Sequence, residues 1–111
     1  METGARMIHF EDFKTGEVRD FGSHRITAEE IIAFARRFDA QDFHTDPEAA
    51  KASFAGGLIA SGWHTCALGM RLISDGFVLA SASRGGPGID EVRWLRPVLP
   101  GDTLTLRRST L

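Results

Sequence analysis

The chain has 111 residues, of which 42% are hydrophobic and 25% charged, and its formal net charge is -2 at pH 7. This length accommodates one hydrophobic core, so the sequence predicts a single domain over residues 1–111, and the composition excludes wholesale disorder. The scattered basic residues and slightly negative charge argue against a nucleic-acid partner.

Two features bear on the cellular setting. The single cysteine, Cys66, excludes an internal disulfide and, with no signal peptide evident at the start, favours a cytoplasmic protein. Residues 52–70 carry no formal charge, which raises the question of a membrane span. Eight of these positions are Gly, Ser, Thr or His, so we expect a helix buried in a soluble core and no membrane partner.

The first half of the chain predicts one strand and two helices. Residues 1–16 are expected to be irregular, and residues 17–26 to form a strand. Thr27 and Glu30 have capping-box spacing and predict the start of a helix, which carries apolar residues at helical spacing up to Phe38. After a loop, Asp46-Pro47 predicts a second, short helix that reaches about residue 52.

The second half predicts a long helix and two strands. Ser61-Gly62 opens a helix that we expect to be buried on most sides and to end at Asp75-Gly76. Residues 84–88 (RGGPG) predict a turn, and residues 89–97 a strand whose two faces both mix apolar and charged side chains. Residues 100–102 predict a tight turn, followed by a strand over residues 103–111.

The loop after the first helix concentrates carboxylate and imidazole groups. Asp39 and His44 are five residues apart, a separation that lets both side chains face one point and share general acid and base work on a water molecule. A loop whose aspartates only cap helices is the structural alternative, and it accounts for Asp46. Asp42, His44 and Asp46 also alternate as metal ligands do, but so short a run does not complete a coordination shell, and no metal is predicted.

The start of the long helix offers a second candidate group. The Gly62 amide is placed to stabilise an oxyanion, or the glycine serves only for close packing. Ser61 is interpreted as a helix N-cap rather than a nucleophile, because its flanks lack a nucleophile-elbow motif. His64 and Cys66 are expected to be core or groove-lining residues, and His24 has no identifiable partner.

Three segments together resemble a known family. DAQDFHTD (39–46), FAGGLIASG (54–62) and RWLRPVLPGD (93–102) are similar to motifs of the MaoC-like dehydratases, which include (R)-specific enoyl-CoA hydratases, and the resemblance covers about residues 15–106. It implies an α+β hotdog fold, in which an antiparallel sheet wraps a long central helix, and a homodimer. It also implies about two strands beyond Leu111, so that the domain is shortened at its C-terminus and an edge is left open.

The resemblance also implies roles for the candidate residues. Asp39 and His44 would hold the water that adds to C3 of a trans-2-enoyl-CoA thioester, and the Gly62 amide would stabilise the thioester oxygen, without metal or cofactor. Ser61, Trp63 and Met70 are candidate substrate-binding residues, with Leu72 a further one. Two departures from the family pattern are Gln41-Asp42, where Asn-Pro is common, and Ser61, where histidine is frequent.

The sequence therefore predicts a hydratase or dehydratase of the carbon-oxygen lyase class. Two alternatives remain open at this point. One is a non-catalytic subunit that binds or scaffolds acyl thioesters, and the other is a thioesterase on the same fold.

Overall fold

The computed structural model of the chain describes residues 7–111. Its elements, in chain order, are a 3-10 turn (Phe10–Asp12), strand β1 (Val18–Arg25), helices α1 (Ala28–Phe38), α2 (Asp42–Thr45), α3 (Pro47–Lys51) and α4 (Gly62–Ile73), a π-helical turn (Ser74–Val78) and strand β2 (Thr103–Ser109). Of the predicted irregular lead-in, residues 1–6 lie outside the described part, and the remainder contains only the 3-10 turn and an isolated bridge from Ile8 to Ser81.

The sheet pairs a strand from the first quarter of the chain with a strand from its last tenth. β1 pairs antiparallel with β2, with Val18 opposite Ser109 and Arg25 opposite Thr103. The register shifts after Phe21, where Gly22 adopts a φ of 54° that glycine tolerates better than other residues. Both strands confirm the predictions over residues 17–26 and 103–111.

Three helices begin at the polar residues that the sequence indicated. The Glu30 amide donates to the Thr27 hydroxyl at 3.2 Å, and the Thr27 amide donates to the Glu30 carboxylate at 2.7 Å. Asp46 accepts hydrogen bonds from two amides of α3, and the Ser61 hydroxyl accepts one from an amide of α4. Because these caps satisfy amides that the first turn leaves unpaired, α1, α3 and α4 start where predicted.

The core lies between α1, α3 and the segment that leads into α4. Its buried apolar side chains are Ile26, Ile31, Ala50, Leu58 and Ala60. Two backbone hydrogen bonds hold the segment before β2 against this core. The Ile26 amide donates to the Asp102 carbonyl at 2.9 Å, and the Ala60 amide donates to the Val98 carbonyl at 2.9 Å. Val98 is therefore fixed beside the start of α4, and Asp102 beside the start of α1.

A cluster of aromatic side chains around Arg108 packs the two strands against the π-helical turn. The Arg108 guanidinium lies 4.8 to 5.4 Å from the ring centres of Phe13, Phe21 and Phe77 and donates to Glu17 at 2.6 Å. Cation–π contacts and a mostly buried ion pair hold this arginine at one position. The cluster lines a cavity of about 460 Å³ whose remaining walls carry carboxylates and cations in equal number.

The long helix is less buried than predicted. Among its residues only His64 is buried, whereas Trp63 and Met70 are 58% and 51% exposed. The physical reason is that α4 contacts α1 and the sheet along one face, and the two described strands are too few to wrap the other. The helical path also continues past Asp75-Gly76 into the π-helical turn, because Phe77 packs on Phe21 with ring centres 5.2 Å apart.

The strand predicted over residues 89–97 does not form. In the part of the chain that the structure describes, no strand lies beside this segment to take its backbone hydrogen bonds, and its apolar and charged side chains do not separate onto two faces. The predicted turn at residues 100–102 does form, with the Asp102 amide donating to Leu99 at 3.0 Å. No helix within residues 7–111 has the length and hydropathy needed to cross a membrane.

Candidate active site

Asp39 and His44 face each other, as their spacing predicted. Asp39 ends α1, and His44 lies in α2, an extra helical turn within what was predicted to be a plain loop. This turn brings His44 Nε2 to 3.3 Å from Asp39 Oδ2, with the two side chains 6% and 18% exposed. A largely buried carboxylate and imidazole thus lie side by side, where exclusion of water strengthens the electrostatic interaction between them.

A backbone contact fixes the orientation of His44. Its Nδ1 lies 2.7 Å from the Ile59 carbonyl oxygen, which can only accept a hydrogen bond. Nδ1 therefore carries a hydrogen, and in the neutral ring the lone pair is on Nε2, which faces Asp39. The His44 ring also contacts Phe43 at a centroid distance of 4.5 Å, which further restricts its rotation.

Two donors hold the Asp39 carboxylate in its charged form. Ser61 donates to Oδ2 at 2.7 Å, and Gln41 donates to Oδ1 at 2.8 Å. Burial raises the pKa of Asp39, but the hydrogen bonds from Gln41 and Ser61 and the charge of His44 outweigh burial and hold the pKa below its usual value of 3.8. Asp39 is therefore an ionised carboxylate at neutral pH.

Ser61 serves both the helix and the carboxylate. It is fully buried, caps α4 through the Trp63 amide and donates to Asp39 with the same hydroxyl. This agrees with its interpretation as an N-cap and adds the contact with Asp39, which the sequence did not show. Its hydroxyl hydrogen is committed to a carboxylate rather than to a general base such as His44.

The first amide of α4 completes the site. The Gly62 N–H has no hydrogen-bond acceptor among residues 7–111, as is usual in the first turn of a helix. It adjoins a cavity of about 490 Å³ lined by His44, Ile59, Ala60, Gly62, Thr65 and residues 93–98. An oxygen bound there meets an unpaired amide at the positive end of the helix dipole.

The structure places the other predicted residues elsewhere. Ser61, Trp63 and Met70 do not line this cavity, and Leu72 points toward β1, where its Cδ2 is 3.0 Å from the position of a Cβ on Gly22. Their role in substrate binding stays a prediction. Thr65 and Trp94 do line the cavity and were missed, although the segment holding Trp94 belongs to one of the matched motifs.

Two other histidines lie outside the cavity. His24, for which the sequence suggested no partner, makes a pair with Glu30, with Nε2 3.0 Å from both carboxylate oxygens. His64 stacks on Phe34 at 4.6 Å, and burial lowers its pKa. Over the described range, no three His, Cys, Asp or Glu side chains are grouped so that they would hold a metal ion.

Comparison with known proteins agrees with the resemblance. The model of the MaoC like domain matches residues 12–110, almost the whole chain. The chain belongs to the MaoC-like family. The uncharacterized protein YdeM of Bacillus subtilis is 33% identical to it over 98 residues, which cover 87% of this chain and 69% of that protein.

Two solved structures agree in fold with this MaoC-like chain. The MaoC-like dehydratase from Rhodospirillum rubrum is 42% identical, with a TM-score of 0.80 over 90% of this chain and 68% of that chain. The (R)-hydratase from A. caviae involved in PHA biosynthesis is 23% identical, with a TM-score of 0.63 over 91% and 75%. The predicted hotdog fold, with a long helix against an antiparallel sheet, is thereby confirmed.

Proposed function

We propose that this chain is a hydratase that adds water to a trans-2-enoyl-CoA thioester to give a 3-hydroxyacyl-CoA, or catalyses the reverse dehydration. The observation that carries the proposal is the paired Asp39 and His44 beside a cavity that also holds the unpaired Gly62 amide. Membership of the MaoC-like family and the fold shared with an (R)-hydratase support it.

The reaction needs a group that removes a proton from water and returns one to carbon. The ionised Asp39 carboxylate accepts a hydrogen bond from a water placed at the cavity edge, and His44 Nε2 does so as well whenever its ring is unprotonated. As the water oxygen bonds to C3, the pair takes one proton, and it delivers one proton to C2. The pair thus ends with the number of protons with which it began.

The thioester oxygen gains negative charge during this addition. When the C2–C3 double bond is attacked at C3, electron density moves through C2 onto the carbonyl oxygen, and an enolate-like group develops. The Gly62 N–H is already in place at the start of α4, so it stabilises this charge without reorganisation. The thioester itself activates the alkene, so the proposal invokes no metal and no cofactor.

We also propose that the working unit is a homodimer. In one copy, large apolar side chains are exposed along α4 and the irregular segment that follows it; these are Trp63, Met70, Ile89, Leu95 and Leu99. An apolar surface of this kind is typical of an interface between copies. Light scattering after size exclusion should give twice the chain mass, and a monomer at micromolar concentration would contradict this.

Turnover of crotonyl-CoA tests the hydratase proposal. Hydration removes the conjugated double bond, so the enoyl-thioester absorbance should decrease with time in the presence of the chain. Asp39→Asn should lower kcat by about 10²- to 10⁴-fold, the usual contribution of a positioned proton-transfer group. Asp42→Asn is a matched control, because the exposed Asp42 carboxylate has neither the His44 contact nor the Ser61 hydrogen bond that Asp39 has, and it should retain wild-type turnover.

Other outcomes separate this proposal from its alternatives. Binding of crotonyl-CoA without turnover in the wild type would indicate a non-catalytic thioester-binding subunit. Release of free coenzyme A thiol would indicate a thioesterase. Equal turnover by Asp39→Asn and the wild type would contradict the assignment of Asp39.

A further inference from the structure

Trp94 lies directly against the glycine that starts α4. A Cβ built on Gly62 would be 2.4 Å from Cε2, 2.5 Å from Cδ2 and 2.8 Å from Nε1 of the Trp94 indole. No real Cβ occupies such positions, so the indole can lie here only because residue 62 is glycine. The contact joins two distant segments of the chain at the position of the unpaired amide.

The indole is held in this position by a second aromatic side chain. Trp63 packs edge to face on Trp94, with ring centroids 5.1 Å apart and an interplanar angle of 80°. This geometry is favourable for aromatic pairs. Trp94 also lines the cavity that contains His44 and Gly62, so its ring forms one wall of the candidate active site.

The indole N–H is an unused donor at this wall. Tryptophan Nε1–H can only donate, and no hydrogen bond from the Trp94 indole is made to any residue in 7–111. Since a Cβ sits about 2.5 Å from its own amide nitrogen and 2.8 Å from the Trp94 Nε1, that Nε1 lies within about 5.3 Å of the Gly62 nitrogen. Two donors each about 2.9 Å from one oxygen can be up to about 5.8 Å apart, so the separation of these two nitrogens allows one oxygen to lie within hydrogen-bond distance of both.

We propose that Trp94 is a further catalytic residue, whose indole N–H is the second donor to the thioester oxygen beside the Gly62 amide. The assignment rests on the proposed hydratase function, since it concerns the oxygen on which charge develops in that reaction. The ring contributes in addition as a wall that holds the thioester against α4.

Two substitutions at position 94 separate the N–H from the ring. Trp94→Phe keeps an aromatic wall and removes the donor, whereas Trp94→Leu removes both. Loss of one preorganised donor to a developing oxyanion lowers kcat by about 10²- to 10³-fold in other enzymes, and we expect a decrease of at least tenfold for Trp94→Phe. Its affinity for the unreactive butyryl-CoA should stay within about threefold of the wild type, and Trp94→Leu should also lose affinity.

A control shows whether loss of an exposed aromatic ring alone has such an effect. Phe10→Leu removes a ring that is mostly exposed and outside the active-site cavity, and it should leave kcat unchanged. Circular dichroism and urea unfolding identify a variant that does not fold. Wild-type kcat in a folded Trp94→Phe variant would overturn the assignment while leaving the hydratase proposal intact.

A spectroscopic measurement tests the hydrogen bond without turnover. Hexa-2,4-dienoyl-CoA bound to Asp39→Asn should show a red-shifted absorbance, because donors to the carbonyl oxygen polarise the conjugated system. Adding Trp94→Phe to Asp39→Asn should reduce this shift. A reduced shift with no hydration by the wild type would support the Trp94 contact and reject the hydratase proposal, and an unchanged shift would reject the Trp94 contact.

Discussion

Ser61→Ala removes a hydroxyl that acts on both α4 and Asp39. Loss of a serine N-cap costs about 0.5 to 2 kcal/mol of unfolding free energy, and loss of a hydrogen bond to a charged group costs about 1.5 to 3 kcal/mol. Both depend on one oxygen, so they overlap, and we expect a decrease of about 2 to 3 kcal/mol at pH 7. Urea unfolding measures this difference.

The pH dependence distinguishes the two contributions of Ser61. The pKa of Asp39 is lower in the folded chain than its usual value, so the stability it confers is present above about pH 4 and is lost as the pH falls through the folded pKa. The cost of Ser61→Ala should therefore be smaller at pH 3 than at pH 7, and it approaches that of the cap alone, about 1 kcal/mol, once the pH is below the folded pKa of Asp39. Ser53→Ala, which removes a hydroxyl that donates to the Ala50 carbonyl and accepts from the Ala55 amide, groups that do not titrate, should cost the same at both pH values.

Catalysis provides a second measurement on the same variant. Without the Ser61 donor the pKa of Asp39 rises toward its usual value, so the acid limb of the kcat/KM profile should move to higher pH. If the acid limb stays in place and the stability cost is equal at pH 3 and pH 7, the hydroxyl acts only as a helix cap and the reasoning on Asp39 is wrong.

Two further substitutions test packing and a second carboxylate. Gly62→Ala should lower the unfolding free energy by about 1 to 3 kcal/mol, because its Cβ would be 2.4 Å from the Trp94 ring. Gly69→Ala, in the same helix but with nothing within 4 Å of the new Cβ, should instead raise it by about 0.5 to 1 kcal/mol; equal effects in urea would contradict the contact. Glu30→Gln removes a carboxylate whose pKa lies below its usual value. Burial raises this pKa, but the contacts with the Thr27 amide and His24 lower it by more. Its destabilisation, about 1 kcal/mol in thermal unfolding, should be present at pH 7 and diminish below about pH 4, and a cost that is constant with pH would refute it.

Local patterns in the sequence predicted the helix starts and the approach of Asp39 to His44. Each helix start depends on a side chain that accepts a hydrogen bond from an amide two or three residues further along the chain. The local sequence is therefore sufficient to identify the capping residues, which are Thr27, Asp46 and Ser61. Asp39 and His44 are similarly close in sequence. The additional turn of α2 between them was not predicted, since four residues are too few to show a helical period.

Contacts between distant segments were not predictable from these patterns. The alternation over residues 89–97 indicated a strand, but a strand needs a neighbour, and local sequence does not say whether one is present. The approach of Trp94 to Gly62 and the Ser61 contact with Asp39 depend on how segments 22 or more residues apart are folded together. The pair of His24 and Glu30 was missed although they are six residues apart, because a strand and a helix meet between them.

The pairing of β1 with β2 encloses the candidate site in one long loop of the chain. Arg25 and Thr103 are partners across the sheet, so roughly 80 residues, including every residue of the candidate site, lie between the strands. Closing a flexible loop of this length costs about 4 kcal/mol of chain entropy before any contact forms. The sheet should therefore form late in folding, and a substitution that weakens it, such as one at the Asp20–Arg107 pair, should mainly speed unfolding and change little the rate at which the candidate site assembles.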